Sequence, residues 1–472
     1  MTATPEVTTS RELRPASMST SNLVFFVVAA AAPLTVLAGF LPVVLLLSGK
    51  IAPIGYLVAG VVYLLFAVGF TAMSRHVKDA GAFYAYIRVG LGEVVGSGSA
   101  LVAYVGYTLG QIGFSAAAGL FASNALETFL GWSVHWGVCA VVLGIAVGVL
   151  SYCKVDIGAR VLAVLLVAEM GILFLLALVI VAKGVPEGYS LDAFNPGNWD
   201  MSALGPLFVL TFIVYIGFEQ TAIYSEEAKD PHRTVPRATF IAVGLLTVVY
   251  TFMSWIIVMA IGPSRLGGIL EGDLTDVIFD VNTEFVGKLS TDVMQILLVT
   301  SFFAGVLALQ NAGTRYLYSM AREGLVSEKF THTSRKTGSP TVAAVTQATI
   351  AVVAIAIFAL FKFDPYTQVV IWTNTPTLIA VLLLQIGTSL SAIVFFRKRV
   401  TDESPWHRWI APATSAVLLS AVLGLVLVRL DLLTGLGALG NTLICIPLVI
   451  AFIFGAARGR QVRRLRQSAE QG

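Results

Sequence analysis

The feature that most constrains this chain is a series of apolar stretches, each long enough to cross a lipid bilayer. A hydrocarbon core of ~30 Å needs roughly 20 consecutive apolar residues in an α-helix, and lipid offers no partner to exposed backbone N–H and C=O groups. Of the 472 residues, 57% are hydrophobic and only 12% are charged. The pattern predicts an all-α membrane protein, with loops too short to hold a soluble domain.

Twelve stretches have the length and hydropathy of transmembrane helices, and we number them as spans 1 to 12. They lie at 21–47, 53–73, 94–124, 133–152, 158–182, 201–225, 238–262, 290–318, 341–361, 367–396, 409–430 and 436–457. The sequence therefore predicts a transmembrane domain at 21–457 between a disordered cytoplasmic tail, 1–20, and a basic cytoplasmic tail, 458–472. Span 1 is too long for a signal-peptide core and lacks a small-residue cleavage site, so we expect it to be retained.

Positive charge is concentrated on one side of the predicted domain. Of the 30 Lys and Arg residues, 24 lie in the tails and in the loops that follow even-numbered spans. Because cytoplasmic loops carry an excess of Lys and Arg, we expect both termini to be cytoplasmic and the protein to lie in the cytoplasmic (plasma) membrane. The segment RGRQVRRLR after span 12 favours contact with membrane lipids over nucleic acid.

Spans 1 and 6 contain residues that a simple membrane anchor avoids. Span 1 has Pro33 and Pro42, and span 6 has Gly217 beside Glu219. Such residues are either kinks in packed helices or true interruptions, and interruptions survive in membranes where they are buried in protein or line a polar cavity. The two spans are five apart, and a second copy of a five-helix unit must enter the membrane from the opposite face. The spacing therefore favours an inverted repeat with a transport site between the broken helices.

Three motifs follow one another along the chain: DAGAFYAYIRVGLGEVVG (79–96), YIGFEQTAIYSEEAKDPHRTVPRAT (215–239) and NAGTRYLYSMAREGLVSEKF (311–330). In this order they resemble motifs of the bacterial amino acid permeases in the amino acid–polyamine–organocation (APC) superfamily. The resemblance covers about 20–460. It implies a five-plus-five inverted-repeat (LeuT-like) core of 12 transmembrane helices, with repeats at about 21–182 and 201–396 and helices 11 and 12 appended at about 409–457.

The resemblance also implies a secondary active transporter for amino acids or related amines, working by alternating access with proton symport. An exchanger of substrate for product, or of amino acid for polyamine, is the alternative, and a membrane sensor with the same fold is a further one. The chain departs from the family at two places. Pro33 lies where members have a Gly-small-Gly break whose amides bind a carboxylate, and Glu169 lies where proton-coupled members have a lysine.

Broken helices supply free amides and carbonyls that bind a substrate's carboxylate and ammonium groups without charged side chains. The two predicted breaks give eight candidate substrate-binding residues: Ala32, Pro33, Leu34, Thr35, Tyr215, Ile216, Gly217 and Phe218. Selectivity is expected from side chains on spans 3, 8 and 10, although such residues more often serve in packing. These candidates are Tyr107, Gln111, Phe302, Phe303 and Asn374.

Two acids lie deep in spans, where an ionisable group is costly and is by default a functional hypothesis. Glu169 in span 5 is either a proton carrier or a structural hydrogen-bonding group. Glu219 follows the Gly217 break, and we expect it to accept bonds from freed amides in a gating or coupling role rather than to contact substrate. Protons or Na⁺ are therefore the expected coupling partners.

The remaining functional classes lack a sequence signal. The three cysteines and five histidines are scattered and show no metal-ligand or disulfide spacing. We find no cluster of nucleophile and base, and no filter motif of a channel. The sequence thus predicts neither an enzyme nor a protein with a metal or cofactor.

Overall fold

The computed structural model describes residues 18–77, 81–153, 159–223, 228–334, 339–399 and 402–471. The α-helices in these ranges are α1 (Thr20–Ala31), α2 (Leu41–Ser48), α3 (Ala52–His76), α4 (Phe83–Leu91), α5 (Glu93–Leu130), α6 (Trp136–Cys153), α7 (Ala159–Lys183), α8 (Leu204–Ile213), α9 (Gln220–Ile223), α10 (Pro231–Ile261), α11 (Leu266–Leu270), α12 (Val277–Phe285), α13 (Lys288–Arg322), α14 (Thr341–Leu360), α15 (Ile371–Lys398), α16 (Ala411–Val428), α17 (Leu430–Thr434) and α18 (Ala438–Gln471). The described residues form no β-strand. The predicted tail 1–20 lies outside these ranges except for its last three residues.

Ten helical runs in the described part of the chain are long and apolar enough to cross a membrane. The first, Thr20–His76, spans 57 residues and contains α1, α2 and α3. Predicted span 6 is not among the ten, because α8 has only 10 residues before the helix is interrupted. The expected all-helical, multi-pass membrane protein is thereby confirmed.

The helices differ in how much of their apolar surface is covered by protein. In the most apolar window, 78% of residues are buried in Thr20–His76 and also in α5, against 28% in α14 and 22% in the run Ala438–Ser468 of α18. A helix that is apolar all round and little buried presents its side chains to lipid. The first run and α5 therefore form the interior of the bundle, and α14 and α18 form its periphery.

Helix α3 packs closely against α10 because a glycine replaces a side chain at the contact. A Cβ atom on Gly60 would clash with the side chain of Thr247 on α10. Small residues at such positions let membrane helices approach each other, which increases van der Waals contact where the hydrophobic effect gives no drive for association. Helix α3 thus becomes a rigid support for the helices that carry the interruptions.

The last helix extends beyond the predicted span 12. Helix α18 continues through the basic segment to Gln471, and this segment contacts the rest of the protein. Arg458 lies 3.4 Å from the carbonyl of Leu325, which follows α13, and Arg466 forms a 3.0 Å ion pair with Glu93 at the start of α5. The arginines thus also hold the ends of α5 and α13.

Candidate substrate and coupling site

The first interruption separates α1 from α2. Helix α1 ends at Ala31, and the chain resumes as a π-helical segment, Thr35–Phe40, before α2 begins. Ala32 between them has φ +47°, in the left-handed region that residues with a Cβ rarely adopt, and Pro33 has no N–H to donate. The interruption expected in span 1 is present, whereas Pro42 lies in the first turn of α2 and breaks nothing.

Side chains from three other helices meet at this break. The Tyr250 hydroxyl on α10 donates to the carbonyl of Ala31 at 3.3 Å. Glu169 on α7 is 4% exposed and accepts a 2.8 Å bond from the Ser301 hydroxyl on α13. The Leu34 backbone amide also interacts with the Glu169 carboxylate. Glu169 therefore connects the freed backbone of the first break to α7 and α13.

The second interruption separates α8 from α9. Helix α8 ends at Ile213, α9 begins at Gln220, and Gly217 between them has φ +118°. The backbone N–H of Gly217 donates to Oε2 of Glu219 at 2.9 Å, and the Tyr107 hydroxyl on α5 donates to Oε1 of the same carboxylate. Glu219 is fully buried. Its carboxylate thus caps a freed amide at the break and ties the break to α5.

Tyrosines hold the backbone around the second break. Tyr63 on α3 donates to the carbonyl of Phe212 at 3.0 Å, and Tyr215 within the break donates to the carbonyl of Tyr56 at 2.9 Å. The rings of Tyr63 and Phe218 pack edge to face with centroids 5.3 Å apart. Helix α3 therefore fixes the last turn of α8 and the loop after it through both hydrogen bonds and ring contacts.

An aromatic cluster covers the first break. Phe302 on α13 is fully buried and stacks on Phe121 of α5, with centroids 5.3 Å apart. It also packs against Phe40 and Phe114, with centroids 6.2 Å and 6.1 Å away. A Cβ atom on Gly39 would lie 2.9 Å from the Phe302 ring, so glycine is what allows the ring to lie against the π-helical segment. We call Phe40, Phe114, Phe121 and Phe302 the aromatic cluster.

A cavity of about 270 Å³ lies on the far side of Phe121, near the end of α5. Its lining includes three acidic residues, Glu127, Asp273 and Asp276. Partial burial, together with the nearby charges of Asp273 and Asp280, raises the pKa of Asp276. We call this cavity the acidic vestibule, and Phe121 of the aromatic cluster forms part of its wall.

A second, smaller cavity of about 40 Å³ lies beside the second break. One of its lining residues is Asn374 on α15, which is 7% exposed and whose Nδ2 has no hydrogen-bond partner in the described part of the protein. The cavity is lined by Phe40, Val43, Phe114, Val209, Leu210, Ile213, Val214, Tyr366, Val370, Ile371, Asn374, Thr375 and Leu433. We call it the apolar cavity. The hydroxyl of Thr35, at the first break, is likewise buried without a partner among the described residues.

Three of the sequence candidates have other surroundings. Gln111 joins α5 to α13 and α14, since its Nε2 donates to Gln310 and its Oε1 accepts from Gln347, both at 2.8 Å. Ile216 and Phe303 are half-buried and pack at the edge of the apolar core. The structure therefore places Gln111 in a contact between helices. Tyr107 lies at the second break, Phe302 lies in the aromatic cluster, and Asn374 lines the apolar cavity.

Sequence reasoning missed three side chains that bind at the breaks. Tyr250 and Tyr63 donate to backbone carbonyls at the first and the second break, and Ser301 donates to the carboxylate of Glu169. A hydroxyl within an apolar span is common, so only knowledge of which helix faces meet could have identified them. Within the described ranges, no group of three or more His, Cys, Asp or Glu side chains is placed to hold a metal ion.

Interrupted helices that meet inside a membrane bundle, with freed backbone groups and buried carboxylates around them, are features of membrane transport proteins. A family model described as amino acid permease matches residues 18–460. The chain therefore belongs to the amino acid permease family, within the APC superfamily, and its family implies a transporter rather than an enzyme.

Three individual relatives are each less than 30% identical to this chain. The chain is 27% identical to the branched-chain amino acid permease BcaP of Lactococcus lactis over 370 residues, which cover 74% of this chain and 75% of that protein. It is 29% identical to the L-lysine transport protein of Corynebacterium glutamicum over 293 residues, covering 58% and 55%. It is 24% identical to human cationic amino acid transporter 4 over 391 residues, covering 78% and 58%.

Proposed function

We propose that this protein is a secondary active transporter that moves an amino acid or a related amine across the cytoplasmic membrane by alternating access, coupled to proton symport. The observation that carries the proposal is the pairing of two helix breaks with two buried carboxylates. Glu169 interacts with a freed amide of the first break and Glu219 with one of the second. The backbone amides at both breaks can therefore exchange their hydrogen-bond partners when the helices move.

The proposal includes twelve membrane crossings with both termini in the cytoplasm. The ten apolar runs become twelve crossings when the 57-residue first run counts as two and the short pair α8 and α9 counts as one. An even number returns the chain to the side on which it starts, and the excess of Lys and Arg in the tails and loops of that side favours the cytoplasm.

Substrate binds at the breaks in this proposal. Helix ends supply amides and carbonyls for the carboxylate and ammonium groups. Pro33 removes one amide from the first break, and the buried Thr35 hydroxyl, two residues further on, is a side-chain donor without a partner among the described residues. Family membership and relatives that are named for branched-chain, cationic and lysine transport support an amino acid as the cargo.

Glu169 is the proposed proton carrier. No Lys or Arg is among the partners the structure gives it, and an ionised carboxylate in a dry interior costs several kcal/mol. Its protonation therefore depends on whether water reaches the first break. Ser301 belongs to α13 and Leu34 to the first break, so a relative movement of these two elements changes the environment of the carboxylate and couples proton release to the transport step.

The test is uptake into liposomes that contain the purified protein, with an imposed pH gradient and a panel of amino acids and polyamines. Glu169→Gln mimics the protonated form, so we expect it to abolish pH-driven accumulation and to retain exchange of internal for external substrate. Asp292→Asn is the matched control, because Asp292 lies on α13 but pairs with Lys288 at the surface. This control should keep full accumulation.

Each other outcome contradicts a defined part of the proposal. Full pH-driven accumulation by Glu169→Gln would make Glu169 a structural group and move coupling to Glu219 or to Na⁺. Exchange without net accumulation in the unchanged protein would indicate an exchanger. Absence of any uptake or exchange would indicate a sensor, and transport itself would then be excluded.

A further inference from the structure

The apolar cavity adjoins the proposed binding site and has the composition of a side-chain pocket. Ile213 and Val214 line it at the end of α8, where the second break begins, and Phe40 and Val43 line it from the chain that follows the first break. The cavity therefore lies between the segments that adjoin the two breaks.

Among the residues that the structure describes, the lining contains no charged side chain. Its polar members are Tyr366, Thr375 and Asn374, and the Tyr366 hydroxyl already donates to the carbonyl of Gly39. A cationic or anionic side chain would lose its hydration here without gaining a counter-charge, which costs several kcal/mol. The acidic vestibule is lined by Glu127, Asp273 and Asp276, but Phe121 of the aromatic cluster forms part of its wall.

The amide of Asn374 supplies a hydrogen-bond donor in the lining of the apolar cavity. Buried donors in proteins are nearly always paired, and an unpaired one costs about 1–3 kcal/mol. Asn374 is 7% exposed, and its Nδ2 has no partner in the described part of the protein. It lies against α5, where a Cβ atom on Gly113 would come within 2.7 Å of Nδ2. A ligand oxygen at the edge of the cavity would satisfy this donor.

The size of the cavity limits what enters. A volume of about 40 Å³ corresponds to one or two water-sized groups, on the order of 30 Å³ each in the liquid. A methyl group fits, whereas an isopropyl group, an indole or a long cationic chain does not fit without rearrangement.

We propose that the apolar cavity is the side-chain pocket of the substrate site and that the cargo is an amino acid with a short, neutral, aliphatic side chain. The inference rests on the proposed transport function and names its substrate class. Val370, the last residue of the π-helical segment Pro365–Val370 that leads into α15, forms one wall of the pocket and is 5% exposed, so its size sets the length of side chain that is accepted.

The test is initial uptake of alanine, valine, leucine, lysine and glutamate by the full-length protein in liposomes. We expect uptake of the small aliphatic amino acids and none of lysine or glutamate. Val370→Ala should raise the ratio of kcat/KM for leucine over alanine by about tenfold or more, since one methylene in a hydrophobic pocket is worth roughly 10- to 200-fold. Leu383→Ala is the control, because Leu383 is on α15, the helix that continues from Val370, but is 46% exposed.

A second variant provides an independent test if Val370→Ala does not fold. Val209→Leu narrows the same cavity from α8 and should lower the leucine-to-alanine ratio, the opposite change. Uptake that favours lysine or glutamate, or ratios unchanged in both folded variants, would overturn the inference and leave the transport function in place. Absence of saturable uptake of every amino acid by the unchanged protein would overturn the transport function, and the inference with it.

Discussion

Ala32 shows how a single residue holds the first break open. Its φ of +47° costs a residue with a Cβ about 1–2 kcal/mol. The conformation persists because both neighbours fix it, since Tyr250 binds the carbonyl of Ala31 and Pro33 cannot extend α1 as a regular helix. The break is therefore stabilised by its surroundings against the preference of the residue itself.

Replacing Ala32 by glycine should stabilise the protein. Glycine removes the Cβ penalty of about 1–2 kcal/mol but adds about 0.5–1 kcal/mol of chain entropy to the unfolded state, so the net gain is roughly 0.5–1 kcal/mol. The matched control is Ala31→Gly in the last turn of α1, which should destabilise the protein because glycine is unfavourable in a helix. Thermal unfolding in detergent measures whether each substitution raises or lowers the stability of the protein. A loss of stability in Ala32→Gly would contradict the strain argument.

At the scale of elements, α5, α13 and α14 are held together by three buried glutamines. Gln111 bonds to Gln310 and Gln347, and Nε2 of Gln310 donates to the carbonyl of Ala344 at 2.8 Å. In a membrane bundle, interhelical hydrogen bonds of this kind fix the rotation of each helix about its axis, because apolar side chains pack against lipid and protein alike. The network thus sets which face of α5 points to the breaks.

Gln347→Leu should destabilise this contact by about 1–2 kcal/mol, because it leaves the buried Oε1 of Gln111 without its donor. The double variant Gln111→Leu, Gln347→Leu should cost less than the sum of the two single variants, since both partners are then apolar. Thermal unfolding of the four proteins measures this coupling. Strict additivity would indicate that the two side chains contribute independently.

The same elements show what the sequence could predict. Hydropathy indicated the long apolar helices, and Pro33 and Gly217 indicated the two interruptions, because both signals are local to one helix. Gln111 was expected at the substrate site, but its contacts depend on the rotation of three helices, which hydropathy does not determine. Tyr250 and Ser301 were missed for the same reason. Helix α18 passes the predicted end of span 12, since loss of hydropathy marks the end of the bilayer and not the end of a helix.

At the scale of the whole molecule, the described structure is closed around its breaks. Thr35, Glu219 and Phe302 are each fully buried, although the acidic vestibule of about 270 Å³ reaches Phe121 in the aromatic cluster. The stacked pair of Phe121 and Phe302 therefore stands between the vestibule and the first break. In the proposed alternating-access cycle this barrier opens, and its strength sets how often the break is exposed.

Phe302→Ala should expose the first break to the vestibule. The reporter is Thr35→Cys, in a chain whose three native cysteines are replaced by alanine, and the measurement is the rate of its reaction with a water-soluble thiol reagent. An aromatic pair is worth about 0.5–1.5 kcal/mol beyond its buried area, so removing one ring should raise the labelling rate by at least several-fold. Phe303→Ala is the control, since Phe303 is adjacent but outside the cluster, and it should leave the rate unchanged. Equal rates in both variants would show that the cluster is not the barrier, and that the path to the break lies elsewhere in the bundle.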